Sequence, residues 1–240
     1  MTEQEWPTCR KPQKMLRALG RKVAGRKLQL LLCGVCRLLW HHIPDERLRD
    51  GVHSAGLFVD GELGVHEFHE IQQRAMTHGM QARGVRTHDF EPADMAAYVV
   101  QATLAFDPQN GIRAALEWGE AAVSLAVERK WRAETRVKFQ ENVCDLLREL
   151  FPPAGREYMI QPSFTGGGVL LPDGETFHVP DVARSIAAGI QHDQAFDRMP
   201  ILADALEDAN CPDRHWLNHA RHGANHTRGC WALDLVLGRG

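Results

Sequence analysis

At 240 residues the chain is long enough to bury a full hydrophobic core, either as one large domain or as two smaller ones. Its composition, with 44% hydrophobic and 25% charged residues, is that of an ordinary globular protein, and the net charge of −3 gives no general case for a nucleic-acid partner. Residues 1–40 are the exception, because they contain nine Lys and Arg residues and only two acidic residues. A basic face is therefore expected only in this first segment.

The start of the chain lacks the pattern of a secretory signal, because its basic residues are not followed by a clean apolar run and a small-residue cleavage site. The longest apolar stretch, Leu28–Leu39, is interrupted by polar residues and is shorter than the ~20 residues that cross a bilayer. We therefore expect a cytoplasmic protein with no membrane segment. In a reducing compartment its six cysteines should be thiols, metal ligands or core residues.

The first 150 residues have the apolar periodicity of successive helices. Leucine and valine recur every one to three residues between Arg26 and His42, which predicts a largely buried helix that Pro44 ends. The same periodicity, with proline and aspartate as start signals, predicts further helices at Pro12–Gly20, after Asp45, at Glu62–Gln81, at Pro92–Phe106 and along the stretch from Ile112 to Leu150.

The composition changes after Pro152-Pro153. Residues 163–174 are rich in glycine and proline, which predicts turns around a short extended piece, Val169–Leu171. The triplet Gly166–Gly168 lacks the Lys-Ser/Thr pair of a phosphate-binding loop, so a flexible turn is expected there. Helical periodicity then resumes at Asp181–Ile190, Pro200–Ala209 and Thr227–Leu237.

The predicted fold class is therefore all-α, a multi-helix array or bundle with a short irregular or hairpin segment near residues 158–178. We divide the chain into a helical region at 1–150, a Gly/Pro-rich connector at 151–178 and a second helical region at 179–240. The two helical regions are expected to share one core, because neither is obviously self-sufficient.

The clearest chemical signal lies in the last thirty residues. Six potential metal ligands recur there at intervals of 4, 4, 3, 4 and 4 residues: Cys211, His215, His219, His222, His226 and Cys230. Thiolate and imidazole are ligands of zinc, and residues three or four apart on a helix lie on one face. We interpret His215 and His222 as exposed histidines and keep the other four as candidate ligands.

A second candidate pair is Cys33-Gly34-Val35-Cys36, inside the apolar helix at 26–42. This spacing allows two sulfurs to bind one metal ion, but two cysteines of a helical core can also simply pack as small apolar side chains. The zinc hypothesis joins Cys33 and Cys36 to His226 and Cys230, which are four residues apart and would share a helix face. Cys211 and His219 are further candidate ligands.

Blocks at both ends of the chain carry a family resemblance. The first contains Met1–Trp6, the Cys33–Arg37 segment with Trp40-His41, and Asp45–Arg47; the second contains Ala195–Cys211 and His226–Gly238. Both are similar to blocks of a paralogue-rich set of planctomycete-type bacterial proteins without an assigned activity. The resemblance implies a bacterial origin and a helical architecture, and it implies no reaction. Five candidate ligands fall on family-pattern positions: Cys33, Cys36, Cys211, His226 and Cys230.

Three functional interpretations remain open. The preferred one is a non-enzymatic helical interaction or regulatory module that binds a protein partner and carries a structural zinc ion. The second is a metal-dependent, hydrolase-type enzyme in which Asp204 or Glu207 serves as acid or base. The third is a metal-free helical protein with core cysteines. The first is preferred because the candidate ligands outnumber any recognisable catalytic constellation, and no motif predicts an organic cofactor.

Overall fold

The computed structural model of the chain describes residues 1–83, 91–105, 108–161, 168–223 and 225–239. These residues form two compact units. The carboxyl-terminal unit contains Met1–Thr8 together with the chain from Arg148 onward, and the amino-terminal unit contains Cys9–Leu147. The first eight residues thus belong with the chain from Arg148 onward, which the sequence does not indicate. A core shared by the two units stays a prediction.

The chain is 69% helical, which confirms the predicted mainly helical fold. In the described residues, seven α-helices precede the first strand: α1 (Pro12–Leu19), α2 (Gly25–Leu38), α3 (Glu46–Val59), α4 (Val65–Arg83), α5 (Pro92–Leu104), α6 (Pro108–Leu125) and α7 (Arg132–Leu150). The last three residues of α7 belong to the carboxyl-terminal unit. The long predicted stretch from Ile112 to Leu150 is two helices, α6 and α7, separated near Arg129–Trp131 by a short 3-10 turn.

Helix α2 lies at the centre of the amino-terminal unit. Its leucines pack inward, and Leu28, Leu31 and Leu32 are fully buried, as the periodicity predicts. Gly34 allows the side chain of Leu146 on α7 to approach, because a Cβ at position 34 would lie 3.1 Å from Leu146 Cδ1. The Cys-x-x-Cys pair therefore sits in a close-packed helical core.

The carboxyl-terminal unit combines a small sheet with four helices. Strands β1 (Met159–Gln161), β2 (Gly168–Leu170) and β3 (Thr176–His178) pair antiparallel in the order β1-β2-β3. The helices are α8 (Asp181–Asp193), α9 (Met199–Asp208), α10 (Arg214–His222) and α11 (Trp231–Leu237). The strands confirm the hairpin predicted near 158–178, with one strand added. Gly166 and Gly167 of the predicted flexible turn lie outside the described residues.

One layer of side chains joins the sheet to these helices. Val169 on β2 and Phe177 on β3 lie in register and enter the same apolar cluster as Trp216 on α10. The Trp216 indole meets the Phe177 ring edge-on, and its Nε1 donates a hydrogen bond of 3.0 Å to the carbonyl of Ala232 on α11. The region predicted as a connector is therefore part of the core of this unit.

The last helix begins at Trp231, four residues later than Thr227, where the sequence predicts its start. Gly229 has φ of 86°, a left-handed conformation that a continuous helix cannot contain, and Cys230 is non-helical at φ −47° and ψ 124°. His226 and Cys230 consequently do not share a helix face. Cys230 closes a turn with Thr227, and His226 directly precedes that turn.

None of the helices in the described ranges is both long and apolar enough to cross a membrane.

Candidate metal centre

Four side chains that can bind a metal converge in the carboxyl-terminal unit: Glu149, His219, His226 and Cys230. One ligand atom from each lies within 4.8 Å of those of the other three. Across the described parts of the chain, this is the one such group of three or more His, Cys, Asp or Glu residues. The group could hold a metal ion.

Three separate segments bring these side chains together. Glu149 lies in the last turn of α7, and His219 lies on α10, whose first turn is capped by the carboxylate of Asp213. Cys230 is the residue before α11, and His226 belongs to the turn between α10 and α11. The turn is held by a hydrogen bond of 3.0 Å from the Cys230 amide to the carbonyl of Thr227.

Four short distances join the possible ligand atoms of these side chains. His226 Nδ1 lies 3.0 Å from Glu149 Oε1, and His219 Nε2 lies 3.3 Å from Glu149 Oε2. The Cys230 sulfur lies 3.4 Å from His219 Nε2 and 3.6 Å from His226 Nδ1. Zinc bonds of about 2.0 to 2.3 Å, arranged tetrahedrally, place neighbouring ligands about 3.3 to 3.8 Å apart. The printed distances of 3.0 to 3.6 Å lie near this range, so the four side chains could hold one metal ion.

The site is buried, and burial shapes its electrostatics. Burial alone would raise the pKa of Glu149, but hydrogen bonds from His219 and His226 outweigh it and lower that pKa to about 2. The pKa of the Cys230 thiol is raised well above its ordinary value by burial and by the nearby carboxylate of Glu149. A cation bound here would replace the thiol proton and neutralise the two anionic ligands.

Two further contacts hold the ligands in place. The amide of Thr227 donates a hydrogen bond of 3.3 Å to Glu149 Oε1, and the indole of Trp231 packs on the His219 ring with centroids 4.8 Å apart. Support of this kind around ligating residues fixes their orientation.

The structure brings together three of the residues predicted as metal ligands, namely His219, His226 and Cys230. The fourth member of the group, Glu149, was not predicted. One signal for it exists in the sequence: a glutamate in the last turn of a helix interacts unfavourably with the helix dipole, so it should have a compensating partner. Glu149 is only 6% exposed, and the two histidines are that partner.

Cys33 and Cys36 lie in the amino-terminal unit, where both thiols have polar partners. The Cys33 thiol donates to the carbonyl of Val52 at 3.5 Å, and the Cys36 sulfur lies 3.1 Å from the hydroxyl oxygen of Thr103. Because the Thr103 hydroxyl donates to the Val99 carbonyl at 2.8 Å, the Cys36 thiol is the donor of its pair. Burial raises the pKa of Cys33 to about 11 and that of Cys36 to about 12, so both are neutral thiols. A zinc site shared by these cysteines with His226 and Cys230 stays a prediction.

Cys211 lies in the carboxyl-terminal unit but outside the group of four. It is buried after α9, where its amide donates to the carbonyl of Leu206, and burial raises its thiol pKa to about 11. The two acidic residues considered as acid or base for an enzyme, Asp204 and Glu207, also lie outside the group. Both accept hydrogen bonds from the guanidinium of Arg221, at 2.6 and 2.7 Å, on the surface of α9.

A small pocket of about 150 Å³ adjoins the metal centre. His219 lines it, so this ligand borders both the pocket and the other three ligands. The remaining lining residues are Trp6, Pro7, Arg148, Pro153, His215 and Trp231.

Comparison with known proteins gives no relative on which to base an assignment. No protein-family model matches the sequence, and no curated protein or solved structure is significantly similar to the chain.

Proposed function

We propose that the carboxyl-terminal unit binds one zinc ion through Glu149, His219, His226 and Cys230, and that the protein is a non-enzymatic helical interaction or regulatory module. The observation that carries this proposal is the convergence of four side chains in a buried site, where distances of 3.0 to 3.6 Å join their possible ligand atoms.

The donor set favours zinc over other common cations. One thiolate, two imidazoles and one carboxylate are the ligands that zinc prefers, whereas calcium and magnesium prefer oxygen. The charges also balance, because a divalent ion offsets one carboxylate and one thiolate while the neutral imidazoles add none. A neutral site is the least costly way to bury charge in the interior of a protein.

The number of ligands favours a structural ion over a catalytic one. Four protein ligands close the coordination sphere of zinc, while catalytic sites keep one position for water. Bound there, zinc would tie the end of α7 to α10 and to the turn before α11. This supports the non-enzymatic interpretation, as does the engagement of Asp204 and Glu207 with Arg221.

Metal analysis of the full chain, purified without a histidine tag, tests the proposal. We expect one zinc per chain in the wild type and substoichiometric zinc in Cys230→Ser and Glu149→Gln. The matched controls are Cys211→Ser, a buried cysteine in the same unit, and Cys36→Ser in the other unit. Both should keep one zinc.

Cobalt substitution adds a test of the ligand itself. A cobalt-loaded wild type should show thiolate-to-cobalt charge-transfer absorption that Cys230→Ser lacks and Cys36→Ser retains. A wild type that binds neither metal would refute the proposal. Loss of the band in Cys36→Ser would instead favour the site shared by the two ends of the chain.

A further inference from the structure

The first eight residues form an ordered segment, which we call the amino-terminal strap (Met1–Thr8). The Thr2 amide donates to the Glu5 carboxylate at 3.0 Å, and the Glu5 amide donates to the Thr2 hydroxyl at 3.2 Å. A third hydrogen bond, from the Trp6 amide to the Thr2 carbonyl, closes the turn. The Trp6 side chain is 2% exposed, so the strap is anchored by a buried indole.

The strap is attached to the segments that carry the metal ligands. Arg148, the residue before Glu149, donates from Nε to the Trp6 carbonyl at 3.2 Å. His215, one turn before His219 on α10, lies 3.5 Å from the Glu3 carboxylate. The same carboxylate accepts a hydrogen bond of 2.7 Å from Arg156.

The strap also borders the most accessible ligand. The side chain of His219 is 18% exposed, compared with 5% for His226 and 8% for Glu149. His219 lines the small pocket together with Trp6 and Pro7 of the strap. A molecule that approaches the metal centre through this pocket therefore meets the strap and His219 first.

We propose that the amino-terminal strap controls the exchange of the metal ion, by limiting the access of competing donor groups to His219. This inference rests on the proposed zinc site. A zinc ion would leave a closed site by stepwise substitution, in which donor atoms of a competing chelator replace the protein ligands one at a time. The displaced His219 imidazole would then be unbound, and a donor atom of the chelator would take its place on the ion. A docked strap slows the first substitution, and an undocked strap permits it.

The test measures the rate of zinc transfer from the loaded full chain to the chromogenic chelator 4-(2-pyridylazo)resorcinol. We expect Trp6→Ala to accelerate transfer by about tenfold or more, because it removes the buried anchor. Glu3→Gln should accelerate it by only about two- to fivefold, since an exposed ion pair holds the strap weakly. Trp6→Phe keeps an aromatic anchor, so its zinc-transfer rate should be close to that of the wild type and below that of Trp6→Ala.

The controls are two substitutions in the amino-terminal unit. Trp131→Ala removes an exposed tryptophan, and Arg10→Gln removes an exposed partner of Glu141. Both variants should transfer zinc at the wild-type rate. A Trp6→Ala protein that holds one zinc and releases it at the wild-type rate overturns the role of the strap but not the zinc site.

Hydrogen exchange of the unaltered protein provides a second measurement, which decides the question if Trp6→Ala does not fold. Zinc should stabilise the end of α7 and helix α10, to which the strap is attached, so it should protect the Glu5 and Trp6 amides relative to the zinc-free chain. Equal exchange of these amides with and without bound zinc would also overturn the proposal. A wild type that binds no zinc overturns both the strap and the proposed function.

Discussion

The imidazole of His226 lies so close to residue 223 that only glycine fits there. A Cβ at Gly223 would contact His226 Cε1 and would lie 2.5 Å from His226 Nε2 and 2.8 Å from the His219 carbonyl. Gly223→Ala should therefore displace the His226 ring from Glu149 and weaken zinc binding by at least about tenfold, equivalent to roughly 1.4 kcal/mol. A competition titration with a zinc chelator would measure the loss.

The matched control is Gly189→Ala in the same unit. Gly189 lies inside α8, and a Cβ there would have no atom within 4 Å. This change should leave zinc affinity unaltered and raise the free energy of unfolding by about 0.5 to 1 kcal/mol, because alanine favours the helix. If Gly223→Ala bound zinc as tightly as Gly189→Ala does, zinc binding would not depend on the present position of the His226 ring, which would contradict the prediction.

At the level of single residues, spacing identified the histidines and Cys230 but not how they meet. The interval of four between His226 and Cys230 predicts one helix face, whereas Gly229 breaks the helix and a turn brings the two side chains together. Glu149 is 77 residues from His226, and such a distant pairing is set by tertiary packing, which no local pattern contains. Spacing cannot separate Cys211, a core thiol, from a ligand either.

At the level of elements, helix α10 depends on the carboxylate of Asp213. This residue accepts hydrogen bonds from the amides of His215 and Trp216 at 2.8 and 3.1 Å, which caps the first turn. It also accepts from the Tyr158 hydroxyl at 2.9 Å and from Arg156 at 3.2 Å. A single buried carboxylate thus holds the helix that carries His219.

Asp213→Ala should lower the free energy of unfolding by about 2 to 4 kcal/mol, because α10 loses its cap and because Tyr158 and Arg156 lose their hydrogen-bond acceptor. Asp213→Asn retains an oxygen for capping but loses the charge that faces Arg156, so its loss should be smaller. Urea denaturation of zinc-loaded protein would measure both. Equal effects of Asn and Ala would show that the ion pair, and not the cap, is what matters.

Helices of regular periodicity were predictable, and their ends were less so. The helices at Pro92 and Asp181 begin where proline and aspartate indicate. The sequence prediction does not include the break between α6 and α7, although the segment at 128–136 is mostly charged and interrupts the apolar periodicity. The sequence predicts only a hairpin where the structure has three strands, because the pairing of β2 with β3 and the contact of Phe177 with Trp216 are tertiary features that no local pattern contains.

At the scale of the whole molecule, the four ligands all belong to one of the two compact units. Structural zinc ions in small domains contribute about 10 to 16 kcal/mol of binding free energy, which is comparable to the total stability of many domains. Zinc bound to the folded state at the proposed site would therefore stabilise the segments that carry the ligands. The amino-terminal unit contributes no residue to the group of four.

Removal of zinc should therefore destabilise the carboxyl-terminal unit more than the amino-terminal unit. We expect chelation to increase hydrogen exchange in peptides that cover α10, α11 and the turn between them, by at least about tenfold in rate. Peptides from α3 and α5 should exchange as before, since neither helix contains a ligand. Cys230→Ser without chelator should reproduce the pattern, and Cys211→Ser should not. A uniform increase of hydrogen exchange in both units would contradict a purely local role for the metal. It would mean that the ion stabilises the chain as one cooperative unit, as the predicted shared core requires.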